Sequence, residues 1–460
     1  MENFPHHVFR EYDIRGLADG EITPQFSQAL AKAYLKFLPV NVDLPVVVGR
    51  DVRLSGEKLQ TALIQALLAA GKDVIDVGVV PTPLVYYTVF TQATAGCMMV
   101  TASHNPAEYN GFKMMVGKQS FHGEDIQKLK DLMLKVQNKR MEEPAAVRCG
   151  QLQHLDMRQT YTDFVVQDCP LMRPLKVVVD AGNGPTGLLA APLYRKLGCE
   201  VIALYCEPDG RFPNHHPDPT IEANLKDLSD MVVLHQADLG IAFDGDGDRI
   251  GVVDEKGKII WGDMLLLLLS RQLLKQQPKA TIVSEAKSSQ LLYDDIQSKG
   301  GKAIMWRTGH SLMKAKMKET GALLAGEMSG HFFFADRFFG FDDATYAGAR
   351  VMQLLAEQSQ PLSTLLDDVP KVVNTPEILV PCADEKKFTV VGKAKAYFAH
   401  DDCEMIDVDG MRLVFEDGWA LLRASNTQPA LTLRFEAKND ESLTLIRDKV
   451  MQWLAKEHSE

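Results

Sequence analysis

Several features that would place this protein in other classes are absent from its sequence. Its seven cysteines are scattered, odd in number and without a CxxC pair, which is typical of reduced thiols rather than of a disulfide framework. The N-terminal residues lack the apolar core of a signal peptide. The longest apolar run, MLLLLL at 264–269, is too short to span a bilayer and is interpreted as one buried helix face. These absences predict a cytoplasmic protein with no membrane partner.

The chain also lacks an excess of positive charge. Its 50 Lys and Arg residues stand against 61 Asp and Glu residues, and the formal net charge is -11. We therefore expect no nucleic-acid partner. A small anionic substrate remains compatible with this balance, because local arginines determine the charge of an individual site. The length of 460 residues exceeds that of one hydrophobic core and predicts several domains.

The sequence does contain one unit that occurs three times. Each copy is predicted to run strand, loop, helix, glycine and strand, and the copies begin at PVVVGRD (45–51), KVVVDAGNG (176–184) and ATIVSEAKSS (280–289). Alternating strands and helices predict βαβ units with a mostly parallel sheet. The copies are too far apart for a solenoid, so we expect sister domains.

The C-terminal part has a different pattern. Residues 410–437 alternate as strands, with a hairpin turn predicted at Asp417-Gly418, and residues 439–458 are predicted to form an amphipathic closing helix. The predicted fold class is therefore α/β, with three sister α/β domains of mixed, mostly parallel sheets around a central cleft and a smaller α+β C-terminal domain. The predicted domain boundaries are 1–150, 151–254, 255–369 and 370–460.

Each repeated unit is followed by another apolar strand that ends in a polar loop. The loops are TASHNP (101–106), DGDGDR (244–249) and GEMSGH (326–331). In open α/β sheets, ligands bind beyond the carboxyl ends of the strands. We therefore expect the three loops to converge on one cleft.

The acidic loop DGDGDR predicts a metal site. The carboxylates of Asp244, Asp246 and Asp248 alternate along the loop and repel one another unless a cation neutralises them. Oxygen ligands alone favour Mg²⁺. An EF-hand is excluded because Arg249 stands where its sixth position requires glycine and because the flanking segments resemble strands. A solvated acidic turn is the remaining alternative.

Ser103 lies in a turn closed by Pro106. A nucleophilic pair with His104 is not expected, because neighbours in an extended turn point to opposite sides. An ion held by three carboxylates has room for another oxygen, and a phosphorylated Ser103 would be both that ligand and a phosphoryl donor. A turn hydroxyl that caps a helix is the alternative interpretation.

Two further loops carry groups suited to a sugar phosphate. Glu327 and Ser329 suit vicinal sugar hydroxyls, and His331 can move a proton. The loop RASNTQP (423–429) combines a guanidinium group with neutral donors, which is phosphate-binding chemistry. Each loop is equally compatible with an ordinary turn.

Five motifs in this order, EYDIRG, TASHNP, DGDGDR, GEMSGH and RASNTQP, closely resemble the α-D-phosphohexomutase family. They are most similar to its bacterial phosphomannomutase/phosphoglucomutase branch, and the resemblance extends from about residue 8 to residue 440. It implies an enzyme, an intramolecular phosphotransferase, that interconverts the 1-phosphates and 6-phosphates of mannose and glucose. The implied route passes through a phosphoserine and a 1,6-bisphosphate intermediate.

The resemblance also implies roles for individual residues. Ser103 would be the phosphoserine, and it would bind Mg²⁺ together with Asp244, Asp246 and Asp248. Lys113 and His331 are the expected base and acid, with Arg15 expected to lower the pKa of Lys113. The other implied residues are Arg249 beside the reacting groups and, for substrate binding, Tyr12, Lys287, His310, Glu327, Ser329, Arg423, Ser425, Asn426 and Thr427.

The implied cofactors are Mg²⁺ and, as activator, glucose 1,6-bisphosphate or mannose 1,6-bisphosphate. The implied partners are small-molecule hexose phosphates, and a monomer is expected. Three alternatives remain open. A phosphoglucosamine mutase more often has glutamine at the position of Met328. A phosphomonoesterase would transfer the same phosphoryl group to water. A non-catalytic sugar-phosphate-binding sensor would be expected to lack the serine or one of the aspartates, and all four are present.

Overall fold

The computed structural model describes residues 4–39, 43–137, 148–425 and 428–457. The chain forms two compact units. The first comprises Met1–Leu265 and Ser329–Leu365, and the second comprises Leu266–Met328 and Leu366–Glu460. Within the described residues, no helix combines the length and the apolar character that a membrane span requires.

The first sheet belongs to the N-terminal part of the first unit. Its central strands are rich in valine, and Val46, Val47 and Val48 are fully buried, as is typical of a strand covered on both faces. The first helix begins after Thr23, whose hydroxyl accepts a hydrogen bond from Phe26 N–H at 3.2 Å. The elements in this part are β1 (Ile14–Leu17), α1 (Pro24–Tyr34), β2 (Val46–Arg50), α2 (Gly56–Ala69), β3 (Val74–Val79), α3 (Thr82–Thr91), β4 (Gly96–Val100), β5 (Tyr109–Val116), β6 (Gln119–Ser120), α4 (Glu124–Gln137) and β7 (Leu152–His154).

The first sheet has the strand order β1-β5-β4-β2-β3-β7, with β6 paired to β5. Strands β4, β2, β3 and β7 run parallel, whereas β5 runs antiparallel to both β4 and β1. The chain therefore reverses direction between β4 and β5. The loop that carries Ser103 lies at this reversal.

The second sheet repeats this plan with the order β12-β11-β10-β8-β9. Strands β10, β8 and β9 are parallel, and the chain reverses between β10 and β11. The acidic loop lies at that reversal, so the sister-domain prediction is confirmed for these two sheets. The elements are α5 (Arg158–Asp168), β8 (Lys176–Asp180), α6 (Ala190–Lys196), β9 (Glu200–Leu204), α7 (Lys226–His235), β10 (Leu239–Phe243), β11 (Ile250–Asp254) and β12 (Ile259–Ile260).

The third repeat provides parallel strands in the second unit. There β13 pairs in parallel with both β14 and β15. The elements of this part of the chain are α8 (Gly262–Gln276), β13 (Thr281–Glu285), α9 (Gln290–Ser298), β14 (Lys302–Trp306), α10 (His310–Thr320), β15 (Leu324–Gly326), β16 (Phe332–Phe334) and α11 (Ala344–Ala356), of which β16 and α11 belong to the first unit. The leucines at 265–269 in α8 are all buried, so more than the single predicted face is covered.

The C-terminal sheet is entirely antiparallel in its described pairings, with the order β17-β22-β21-β20-β19 and β18 paired to β22. Helices α12 and α13 pack on it, and Asn439 caps α13 by accepting Ser442 N–H at 2.9 Å. The elements are β17 (Val373–Asn374), β18 (Ile378–Pro381), α12 (Asp384–Phe398), β19 (Glu404–Ile406), β20 (Met411–Phe415), β21 (Gly418–Ala424), β22 (Ala430–Ala437) and α13 (Asp440–Glu457). The predicted α/β class with mixed sheets and a smaller α+β C-terminal part is confirmed.

The predicted hairpin turn is displaced by one residue. Phe415 pairs with Gly418, so the two turn residues are Glu416 and Asp417 and the glycine begins β21. A Cβ at Gly418 would come within 2.3 Å of Glu436 O on the neighbouring strand. Glycine is therefore required here by close strand packing rather than by turn geometry.

Candidate active site

Ser103 has an unusual backbone conformation in the loop between β4 and β5. Its φ is 50°, in the left-handed region that non-glycine residues rarely adopt. Its Oγ lies 3.1 Å from His104 Nδ1 and donates a hydrogen bond to Asp244 Oδ2 at 2.7 Å. The expectation that Ser103 and His104 point apart is therefore wrong, because it assumed an extended turn.

His104 presents a neutral ring to the serine oxygen. Burial, together with the positive charges of Arg249, Arg15 and Lys113, holds the pKa of His104 well below its usual range. The serine hydroxyl donates to Asp244 Oδ2, and its oxygen lies beside Nδ1 of the imidazole. His104 is thus a close polar neighbour of Ser103 that the sequence argument set aside.

The acidic loop gathers its three carboxylates by a tight turn. Asp244 Oδ1 accepts the backbone N–H groups of Gly247, Asp248 and Arg249 at 2.9, 3.1 and 3.1 Å. The carboxylates of Asp244, Asp246 and Asp248 are fully buried, and one oxygen of each lies within 4.8 Å of the others. The grouping expected from the sequence is present, but it is produced by the turn and not by alternation along an extended segment.

The electrostatics of this cluster favour a cation. Burial and the neighbouring charges of Asp248 and Asp246 raise the pKa of Asp244 well above its usual value. Among the described residues, no group donates a hydrogen bond to the buried Oδ1 atom of Asp246. Three buried carboxylates with an oxygen atom still available are suited to a hard divalent ion.

Lys113 contacts the same cluster from β5. Its side chain is 4% exposed, and its Nζ donates to Asp246 Oδ2 at 2.7 Å and to Asp248 Oδ2 at 2.5 Å. Burial by itself lowers the pKa of Lys113, but the two carboxylates outweigh this effect and raise it. Arg15 does lower the pKa of Lys113, as expected. Its effect is smaller than that of the two carboxylates, so the prediction that the pKa of Lys113 is lowered is wrong.

Arg15 projects from β1, which pairs with the strand that carries Lys113. Its guanidinium group donates to Asp13 Oδ2 at 2.8 Å and to Asn105 Oδ1 at 2.6 Å. Tyr12 is half-buried just before β1. The first strand therefore brings a positive charge to the Ser103 loop.

Arg249 and His331 form a second polar pair in the first unit. Arg249 Nε donates to His331 Nε2 at 3.0 Å, and His331 Nδ1 lies 3.2 Å from Asp342 Oδ2. These contacts favour the tautomer in which Nδ1 carries the proton. Ser329, in the same loop as His331, is half-buried.

In the second unit, carboxylates connect the loops that follow β13, β14 and β15. Glu327 Oε1 accepts Gly309 N–H at 2.6 Å, immediately before His310 begins α10. Glu285 accepts Met328 N–H at 2.8 Å and the Thr308 hydroxyl at 2.6 Å. Glu285 thus links two loops that carry predicted substrate-binding residues.

Three further predicted substrate-binding residues of the second unit are held by acidic partners or by a backbone group. Lys287 Nζ lies 3.1 Å from Glu377 Oε2, and Arg423 Nε donates to Asp409 Oδ2 at 2.9 Å. Ser425 Oγ accepts Gln428 N–H at 3.2 Å. Asn426 and Thr427 lie outside the described residues.

Sequence reasoning missed several residues that organise these loops. In the first unit, Arg53 donates to Ser103 O, and the Thr82 hydroxyl donates to Asp246 Oδ2 at 2.5 Å. In the second unit, Glu285 and Asp409 accept hydrogen bonds from Thr308. A usable signal existed for Arg53. It follows the carboxyl end of β2, which lies beside the end of β4, and ligand-site residues gather at such edges.

Family models match nearly the whole chain. Residues 6–140, 159–257 and 261–373 match phosphoglucomutase/phosphomannomutase alpha/beta/alpha domains I, II and III, respectively. Residues 377–452 match the phosphoglucomutase/phosphomannomutase C-terminal domain.

Individual relatives resemble the chain over comparable lengths. A phosphomannomutase/phosphoglucomutase from Pseudomonas aeruginosa is 42% identical over 96% of this chain and 94% of the relative. A Neisseria gonorrhoeae phosphoglucomutase is 41% identical over 98% of this chain and 97% of the relative. The crystal structure of a phosphoglucomutase/phosphomannomutase family protein from Burkholderia thailandensis has a TM-score of 0.91 at 41% identity and covers 98% of this chain and 97% of its own. With all four domain models matched and this identity along nearly its full length, the chain belongs to the phosphoglucomutase/phosphomannomutase family.

Proposed function

We propose that this phosphohexomutase interconverts the 1-phosphates and 6-phosphates of glucose and mannose through a phosphorylated Ser103. The supporting observation is the 2.7 Å hydrogen bond from Ser103 Oγ to Asp244 Oδ2, at the edge of three buried carboxylates. Ser103 Oγ gives its phosphoryl group to the free hydroxyl of the hexose phosphate, which forms a 1,6-bisphosphate. The other phosphoryl group of that bisphosphate then returns to Ser103 Oγ, and the isomeric monophosphate leaves.

The residues of the acidic loop fit a Mg²⁺ ion. Asp244, Asp246 and Asp248 provide only oxygen ligands, and the buried Oδ1 of Asp246 accepts no hydrogen bond from the described residues. When bound, the ion offsets negative charge on the transferring phosphoryl group. Ser103 requires an initial phosphate, which glucose 1,6-bisphosphate or mannose 1,6-bisphosphate supplies as activator.

The chain's own cations complete the proposed reaction site. Arg15 and Arg249 bring positive charge to the Ser103 and acidic loops, where they stabilise negative charge on a phosphoryl group. Lys113 acts as the base and His331 as the acid. Asp246 and Asp248 raise the pKa of Lys113. A cation bound to these two carboxylates would weaken this effect and would favour the neutral amine that a base requires.

Nine residues are proposed to recognise the substrate. Tyr12 and Ser329 belong to the first unit, and the other proposed residues belong to the second. Glu327 and Ser329 are proposed to bind the sugar hydroxyls. The phosphate that is not transferred is proposed to be held by Arg423, Ser425, Asn426 and Thr427. The second-unit residues are Lys287, His310, Glu327, Arg423, Ser425, Asn426 and Thr427.

We also propose a cytoplasmic monomer of four domains, with the boundaries 1–150, 151–254, 255–369 and 370–460. Four separate sheet regions along the chain support the number of domains. Strand β7 (Leu152–His154) belongs to the first sheet, and strand β12 (Ile259–Ile260) belongs to the second sheet. Each of these sheets therefore extends a few residues past the proposed boundary of its domain.

Phosphorus NMR of the protein with Mg²⁺, a trace of glucose 1,6-bisphosphate and either glucose 1-phosphate or mannose 1-phosphate tests the function. Both substrates are expected to become 6-phosphates, and Ser103→Ala is expected to abolish the conversion. Ser298→Ala, at an exposed serine, is the matched control and retains it. Release of inorganic phosphate alone would indicate a phosphatase, and unchanged spectra would contradict the proposal and favour an amino-sugar substrate or a sensor.

A further inference from the structure

A buried arginine is hydrogen-bonded to the Ser103 loop. Arg53 follows β2 and is 1% exposed. Its Nε donates to Asp51 Oδ2 at 3.1 Å. Its two terminal nitrogens donate to three carbonyl oxygens of the loop, those of Ser103 at 2.8 Å, Asn105 at 2.5 Å and Pro106 at 2.5 Å, and to that of Tyr109, the first residue of β5, at 3.0 Å. All five guanidinium N–H groups are thereby used, three of them on this loop and one on the start of β5.

Asp51 connects the arginine to the other side of Ser103. Asp51 Oδ2 accepts the Thr101 hydroxyl at 2.7 Å, and Thr101 Oγ1 accepts Ser103 N–H at 2.9 Å. The carbonyl of Ser103 is bound by Arg53 and its N–H by Thr101. The network therefore holds both backbone polar groups of Ser103, whose hydroxyl bonds to Asp244.

The acidic loop also lies close to the carbonyl group of Ser103. A Cβ at Gly245 would come within 2.3 Å of Ser103 O, so the two loops are in close backbone contact. Phe212 covers the guanidinium group of Arg53, with 5.3 Å between Cζ and the ring centroid. Movement of the Ser103 carbonyl is thus restricted by its hydrogen bond to Arg53 and by its close contact with Gly245.

This arrangement matters because the direction of the Ser103 hydroxyl depends on an uncommon backbone conformation. At a φ of 50°, the residue relaxes toward the common extended or helical regions unless its surroundings hold it. Such a relaxation would move Oγ away from Asp244 Oδ2. Phosphoryl transfer depends on the in-line placement of the attacking and leaving oxygens, so a small displacement is costly.

We propose that Arg53, acting with Asp51 and Thr101, is a positioning residue that holds Ser103 in the geometry required for phosphoryl transfer. This inference rests on the proposed function, because it requires Ser103 to carry the phosphoryl group. Arg53 itself contacts backbone carbonyls and not the transferred group. Its loss therefore affects the transfer step more than substrate binding.

The test compares Arg53→Ala and Thr101→Val with the unaltered protein. Thr101→Val keeps a similar side-chain volume but removes the link between Asp51 and Ser103 N–H. Arg350→Ala is the matched control, because Arg350 is also buried (2% exposed) but pairs with Asp336 instead of the loop. The readouts are kcat and KM for glucose 1-phosphate, the rate at which glucose 1,6-bisphosphate phosphorylates Ser103 by intact-mass spectrometry, and the unfolding temperature.

Arg53→Ala is expected to lower kcat and the phosphorylation rate about 100-fold, with KM changed by less than about threefold, as for a displaced reacting group. Guanidinium added at millimolar concentration is expected to restore part of the rate in Arg53→Ala, but not in Arg350→Ala. Thr101→Val is expected to lower kcat while most of the protein remains folded. If Arg53→Ala does not fold, Thr101→Val decides the question.

The inference is overturned if Thr101→Val phosphorylates and turns over at the unaltered rate. It is also overturned if the loss in a folded Arg53→Ala protein does not respond to guanidinium. One further result would contradict the proposed function itself and not only the role of Arg53. If Ser103 of the unaltered protein never acquires phosphate while hexose phosphate is turned over, the phosphoserine route itself is wrong.

Discussion

The ammonium group of Lys113 donates a hydrogen bond to Asp246 Oδ2 at 2.7 Å, although the two residues lie 133 positions apart in the sequence. The same Nζ reaches Asp248 Oδ2, while the third carboxylate, Asp244, accepts the hydroxyl of Ser103. Strand β5 of the first sheet and the reversal of the second sheet thus meet in one buried charged cluster. The cluster contains a candidate base, a candidate nucleophile and the candidate ligands of a cation.

Magnesium is expected to stabilise the folded protein through this cluster. An ion at 100 times its dissociation constant adds about 2.7 kcal/mol to the free energy of unfolding. Asp246→Asn is expected to abolish most of the rise in unfolding temperature, because it removes a ligand charge. Thermal unfolding with MgCl₂ and with EDTA measures the effect, and Asp19→Asn, at a fully exposed carboxylate, is the control. An equal shift in the Asp246→Asn protein would place the ion elsewhere.

Lys113→Met is expected to abolish turnover and to destabilise the protein when EDTA is present. Breaking a buried ion pair costs about 3–5 kcal/mol, because the remaining carboxylates stay buried without their ammonium partner. Magnesium should recover a larger share of the stability in this variant than in the unaltered protein. Lys118→Met, at an exposed lysine, should change neither quantity. Turnover near the unaltered rate in Lys113→Met would exclude Lys113 as the base.

Gly245→Ala is expected to reduce turnover by displacing the Ser103 loop. Its Cβ would lie 2.3 Å from Ser103 O, which is too close for any adjustment of a side chain to relieve. Gly392→Ala is the matched control because its Cβ would meet no atom within 4 Å on α12. Removing a glycine from a helix stabilises it by up to about 1 kcal/mol. Steady-state kinetics and urea unfolding of both variants provide the measurement, and unchanged kcat in Gly245→Ala would contradict the close contact.

Asp343 is expected to make stability depend on pH. Its carboxylate caps α11 by accepting Tyr346 N–H at 2.9 Å and also accepts the Tyr161 hydroxyl at 2.8 Å. Burial nevertheless raises the pKa of Asp343 from 3.8 to about 7. Between about pH 4 and about pH 7 the folded protein therefore holds a proton that the unfolded chain has released. This contribution to stability is present at low pH and is lost as the pH rises to about 7.

Asp343→Asn is expected to remove this dependence, because an amide can still cap the helix and does not ionise. The difference between the pH 5 and pH 8 unfolding free energies should decrease by a few kcal/mol, since each pKa unit corresponds to about 1.4 kcal/mol. Urea unfolding at the two pH values measures it. Asp163→Asn, at an exposed carboxylate on α5, should leave the dependence unchanged. A pH profile that is the same in Asp343→Asn would show that Asp343 is ionised throughout.

Local sequence patterns were sufficient to predict the regular elements and the polar loops between them. The run KVVVD was expected to be a buried strand and is β8 (Lys176–Asp180), because β-branched residues with apolar neighbours suit a covered parallel sheet. The acidic loop was expected at the end of the following parallel strand, and it lies after β10 (Leu239–Phe243). Both depend on short-range chemistry that a sequence displays directly.

The errors concern properties that depend on backbone dihedral angles and on distant charges. Ser103 and His104 are close because φ at Ser103 is positive, which no neighbouring residue type indicates. The pKa of Lys113 is raised because two carboxylates from the second sheet surround an amine from the first. Nothing within the segment that contains Lys113 specifies these partners.

By itself, therefore, the sequence determined which segments become strands, helices and polar loops, and which residue types each loop offers, since these follow from local propensity and periodicity. Only the tertiary structure decided which groups face one another. Arg53 binds the carbonyl oxygen of Ser103, 50 positions further along the chain, and Ser103 Oγ bonds to a carboxylate 141 residues away. A buried polar group must find a hydrogen-bond partner wherever folding places one, and that location is set by the packing of whole sheets.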